Sequence, residues 1–171
     1  HGRGIFIADI TPLQGMTKES MNASVSLFDV QPAVDYVSGL SNNSAYTNFN
    51  GEARRLGSHL WMHSKNAGKA KVTIKQGMNE VFWAEMDMEA GLNHMVWGFQ
   101  KIVEERSAED LEGFAERFRR FGMSEDDIAA RMEGMRYVTE PAQPGNYKVV
   151  VEMNGQTVTK DLQVLKDYWN K

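Results

Sequence analysis

Apolar and polar residues alternate with a period of two along much of the chain from Leu60 onward. In Lys71-Val72-Thr73-Ile74-Lys75 the alternation is the one required of a strand with one buried and one wet face. Between Val81 and Glu89, Phe82, Ala84, Met86 and Met88 fall on one side, while Glu85, Asp87 and Glu89 fall on the other. Trp83 shares the parity of the acidic row. Gly91-Leu92-Asn93-His94-Met95-Val96-Trp97 reads as a further strand, introduced by a turn glycine. The strongest local signal is Asn154-Gly155 between the runs Tyr147 to Met153 and Gln156 to Leu162. Asn-Gly is favoured in tight hairpins because both central residues must take positive φ.

A different periodicity interrupts these strands. Ser107-Ala108-Glu109-Asp110 has a capping-box-like form, and Leu111, Phe114, Ala115, Phe118 and Phe121 then recur at helical spacing. This predicts a helix ending near Gly122. Ser124-Glu125-Asp126-Asp127 opens a second, with acidic residues at its positive end and Ile128, Met132 and Met135 on one face. The two make a helical hairpin, assigned to residues 102–140. At the other end of the chain, Gly4 to Ile10 reads as a short strand stopped by Thr11-Pro12. Residues 14–50 are rich in Gln, Ser, Asn and Gly and read as a connector, with one brief strand in the apolar island Val25 to Val30.

With 171 residues, 42% of them hydrophobic, the chain can bury a core of its own. It contains no cysteine, which excludes thiol catalysis, zinc ribbons and iron–sulfur ligation. The net charge of −4 argues against a nucleic-acid partner, which needs a concentrated positive field. The acidic excess is local: residues 101–140 hold 7 basic and 11 acidic side chains. No stretch approaches the roughly 20 apolar residues of a membrane span. His1 stands directly before a strand-like run, so the sequence reads as part of a larger protein.

Several residues have types that could support chemistry. His59 and His63 are four apart and share one face in a helix or a strand, with Trp61 between them in the latter. A metal needs a third ligand that the sequence does not identify, so no metal and no cofactor are expected. Glu85, Asp87 and Glu89 could hold calcium or act as an acid/base pair, although a solvated strand face explains them more simply. Tyr46, Phe49, Trp61, Trp83 and Trp97 could stack on sugar rings, and Trp83, with Glu85 and Asp87 beside it, is the preferred exposed ligand platform. Leu111, Phe114, Phe118 and Phe121 pack most simply within the protein, but their surplus of phenylalanine leaves room for a partner surface.

The segments also resemble a known family. His1-Gly2-Arg3-Gly4-Ile5-Phe6-Ile7-Ala8-Asp9-Ile10-Thr11-Pro12-Leu13 is similar to the end of the last blade in bacterial sortilin-like proteins with neuraminidase-like (BNR, Asp-box) repeats. There a Thr/His-Gly-Arg-Gly run, a hydrophobic strand and an Asp-Ile-Thr-Pro-Leu closure lead out of the β-propeller. Gly91 to Trp97, then Pro144-Gly145-Asn146-Tyr147-Lys148-Val149, resemble the Gly-Leu-Asn-Arg-Val-Val-Trp and Pro-Gly-Thr-Tyr-Thr-Val pair of the immunoglobulin-like domain that follows such propellers. About forty residues of helix-like sequence here replace the short link between them.

The resemblance implies a mainly β protein: a terminal propeller strand (1–13), a connector (14–50), and an immunoglobulin/fibronectin-like β-sandwich (51–171) with the helical insertion. It implies an exported protein, in the periplasm, on the outer-membrane surface or outside the cell. The expected role is non-catalytic, a structural and interaction domain docking on its own propeller and meeting an envelope protein. The alternative is an accessory or carbohydrate-binding domain of a BNR-type glycoside hydrolase.

Overall fold

A computed structural model describes residues 10–35 and 56–168. In chain order the elements begin with α1 (Thr11–Gln14), α2 (Lys18–Asn22), β1 (Val25–Leu27), β2 (Ala33–Asp35), β3 (Ser58–Ser64), β4 (Gly68–Gln76) and β5 (Asn79–Met88). They continue with β6 (Gly91–Trp97), β7 (Gln100–Glu105), α3 (Ala108–Arg120), α4 (Glu125–Met135), β8 (Tyr137–Pro141), β9 (Gly145–Met153) and β10 (Gln156–Lys166). The protein is mainly β, with three sheets among the described residues. These residues form two compact units, one running to Phe99 and resuming at Gln143, the other spanning Gln100–Ala142.

The first unit holds two sheets. One has the order β1-β3-β6 and is antiparallel throughout. The other has the order β2-β10-β9-β4-β5 and is antiparallel except for β2, which runs parallel to β10 with Ala33 opposite Val164. The alternation predicted over Lys71 to Lys75 is observed in part: Val72 and Ile74 are fully buried and Lys71 and Lys75 half-buried on the other face, but Thr73 between the lysines, opposite Trp83, is buried at 2% exposure rather than wet. In β5, Phe82, Ala84, Met86 and Met88 share one face, opposite Ile74, Val72, Ala70 and Gly68, with Met88 buried and the other three half-buried.

Aromatic rings tie the two sheets together. Trp97 of β6 is 1% exposed and meets Tyr147 of β9 edge-on at 5.2 Å between ring centres, with Phe82 of β5 at 6.5 Å. Leu60, Met62, Val149, Val151, Leu162 and Val164 complete the buried set around them. Between β9 and β10, Asn154 (φ 51°) and Gly155 (φ 75°) form the tight turn, with Met153 opposite Gln156. Both central residues are therefore left-handed, as the Asn-Gly pair predicts.

Val25–Leu27 is the brief strand expected in the apolar island, and it pairs with β3. The connector does more than link, because β2 also lies within it and joins β10. Lys160 Nζ reaches Asp29 Oδ1 at 2.6 Å, and Ser24 Oγ donates to Gln156 Oε1, so both anchor this segment to the C-terminal strand. The expected opening strand from Gly4 lies outside the described residues except for Ile10, as do Tyr46 and Phe49.

The second unit pairs β7 with β8 and sets α3 and α4 between them in the chain. Each helix begins as its sequence predicts. Ser107 Oγ accepts from Asp110 N at 3.1 Å and Ser124 Oγ from Asp127 N at 3.2 Å, satisfying an amide the first turn leaves unpaired. The ends of the 102–140 segment, however, are strand rather than helix. Ile102-Val103 and Tyr137-Val138-Thr139 are β-branched or aromatic, types that lose rotamer freedom in a helix and fit a pleated ribbon.

Candidate functional site

The β3–β6 pair carries the densest group of chemically active side chains. Alternation along β3 turns Ser58, Leu60, Met62 and Ser64 inward and His59, Trp61 and His63 to the opposite face. On β6, His94 stands directly opposite Trp61, Val96 opposite His59 and Leu92 opposite His63. His59 Nδ1 and His94 Nε2 are 2.9 Å apart, with ring planes 20° from parallel. One imidazole therefore donates N–H to the other's bare nitrogen. His94 also stacks on Trp61, at 4.0 Å between centres and 24° between planes.

His59 thus pairs with His94 rather than with His63. Four residues along a strand span about 13 Å, whereas diagonal cross-strand neighbours lie about 7–8 Å apart, within reach of two imidazoles. His63 is instead 9% exposed, and its buried Nδ1 has no hydrogen-bond partner. No group of three or more His, Cys, Asp or Glu is placed to hold a metal among the described residues.

Trp83, Glu85 and Asp87 lie on the outer face of β5, the edge strand of its sheet. Trp83 is half-buried, opposite Thr73, with Lys71 Nζ 5.7 Å from its ring centre. The exposed carboxylates face lysines across the ladder, Glu85 opposite Lys71 and Asp87 opposite Lys69. Opposite charges in register stabilise a strand pair by roughly 0.2–1 kcal/mol. The three residues do come together, as one row with an ammonium over the indole.

The α3 stripe is divided. Leu111, Phe114 and Phe118 are half-buried, Phe114 beneath the Arg106 guanidinium at 5.7 Å and Phe118 beneath that of Arg131 at 5.5 Å. Phe121, past the last helical turn, is 74% exposed and borders a cleft of about 420 Å³ lined also by Gly113, Glu116, Arg117 and Arg120. Arg119 clamps the helix pair, donating to Glu112 at 2.6 Å and to Glu125 at 2.9 Å. The hydrogen bond from Arg119 holds the Glu125 carboxyl below its ordinary range.

Tyr147 supports the body of the first unit. Its hydroxyl donates to the Gln143 carbonyl, and burial pushes its ionisation up, with Asp35 adding to the effect. Residue reading missed His94 as a partner of His59, since the pairing of β3 with β6 is long-range. The available signal was His94 itself, a second histidine in a run that reads as a strand. Comparison with family models, curated proteins and solved structures returns no match to this chain.

Proposed function

We propose that the chain is a non-catalytic structural and interaction module: an immunoglobulin-like sandwich with a helical-hairpin insertion, from the C-terminal region of an exported sortilin-like BNR propeller protein. The observation that carries the reading is the strand order. In an immunoglobulin-like sandwich the first strand divides between the two sheets, its second half running parallel to the last strand. Here β1 joins β3 and β6, and β2 runs parallel to β10 at the edge of the second sheet.

In that scheme β9 is the penultimate strand. Tyr147, near its start, donates its hydroxyl four residues back to Gln143, in the manner of the tyrosine corner of such sandwiches. The helical unit enters the chain just before this strand, where the resemblance expects a short link. It offers the exposed Phe121 beside Arg117 and Arg120 as a surface for a protein partner. The link to a propeller rests on the motif from His1 to Leu13.

Immunodetection of the native polypeptide in its own cells tests the parent protein. A mass large enough to add a propeller to the 19.3 kDa of this chain is expected, and a native mass near 19.3 kDa overturns that part of the proposal.

A further inference from the structure

We propose that His59 and His94 form a chelating site for a borderline divalent transition metal, copper(II) or nickel(II), on the outer face of the β3–β6 pair. The site needs two imidazole nitrogens on rigid supports at the right separation. Both histidines stand on a seven-residue antiparallel ladder, β3 is the central strand of its sheet, and Trp61 stacked on His94 at 4.0 Å restrains that ring. The facing nitrogens are 2.9 Å apart. Two nitrogens bound cis about 2.0–2.1 Å from a metal stand roughly 2.9 Å apart in a square-planar or octahedral shell and about 3.3 Å apart in a tetrahedral one. The ladder thus already holds two imidazole nitrogens close enough to become cis ligands of one ion, and the affinity order of imidazole sites for divalent metals favours copper(II).

Ligation replaces the N–H···N bond by two metal–nitrogen bonds, with both rings turning about χ2 to bring their lone pairs onto the ion. The imidazole that had been the donor gives up that hydrogen to water and takes one at its other ring nitrogen, so both ligands are neutral and no electron is transferred. Water completes the coordination shell. The His59–His63 spacing does not supply this arrangement, because His63 lies at the far end of the row, opposite Leu92.

Trp61 makes the site observable, because a bound copper(II) ion quenches an adjacent indole. The full chain is titrated separately with copper(II), nickel(II) and zinc chloride, following tryptophan emission together with bound metal by equilibrium dialysis. A saturable quench with copper is expected. His59→Asn and His94→Asn each weaken the quenching site at least about tenfold, the least expected from losing one of two ligands. His63→Asn leaves it unchanged, and Trp61→Phe keeps the bound ion but loses most of the quench. Far-UV circular dichroism confirms that each variant folds. In wild type and in the His63 and Trp61 variants, but in neither the His59 nor the His94 variant, copper should raise the melting temperature by an amount that grows with metal concentration. No saturable quench, a quench unaltered in both folded His59 and His94 variants, or tighter binding of zinc than of copper and nickel overturns the proposal.

Discussion

The two units of this chain are held together by different chemistry. The first is built on a continuous apolar interior, with Leu60, Met62, Val72, Ile74, Val149 and Val151 at no measurable exposure and Trp97 at 1%. In the second, the helix pair buries one apolar residue on each helix, Ala115 and Ile128. Around them, half-buried Leu111, Phe114 and Phe118 are joined by polar contacts: serine caps, Arg119 between two carboxylates, Arg136 Nε on Glu105 at 2.8 Å, and guanidiniums over Phe114 and Phe118. Apolar burial is non-directional and scales with area, whereas exposed ion pairs are worth about 0–1 kcal/mol each. The first unit should therefore be rigid and the second readily opened.

The largest effect that would sharpen this contrast is Trp97→Ala. Removing a fully enclosed indole costs about 3–5 kcal/mol, so denaturant melts of the variant should show the first unit losing much of its stability. Ile128→Ala, at about 2–4 kcal/mol, is expected to act in the second unit. Hydrogen exchange should then show amides of α3 and α4 losing protection while those of β4 and β9 keep it. Equal loss in both would break the comparison.

The smallest effect is acidification. The Glu125 carboxyl is held below its unfolded value of about 4.3, so its contribution is present above that pH and disappears as pH falls through the lower folded value. Helical ellipticity should decline in that acid window, and Glu125→Gln should flatten the change.

What the sequence made legible was local. Asn154-Gly155, the alternation in β4 and β5, and the caps at Ser107 and Ser124 are decided by residues within a few positions of one another. The β7–β8 ribbon was hidden because its halves, joined in register at Gln100 with Pro141 and Glu105 with Tyr137, lie on either side of two helices whose own pattern is stronger. The pairing of His59 with His94 was hidden for the same reason: it depends on which strands become neighbours, and periodicity within a strand carries no such information. The Trp83 row was visible as alternation, but the lysines facing its carboxylates became evident only with the register.

The parallel seam between β2 and β10 also bears on synthesis. Asp29 and Lys160 meet across 131 positions of chain, and Ala33 waits for Val164. At ~5–20 residues per second a ribosome needs on the order of ten seconds to cross that interval, during which β2 has no mate. Closure of this edge is thus expected to be a late event in the folding of this unit, completed only once the β9–β10 hairpin has left the exit tunnel.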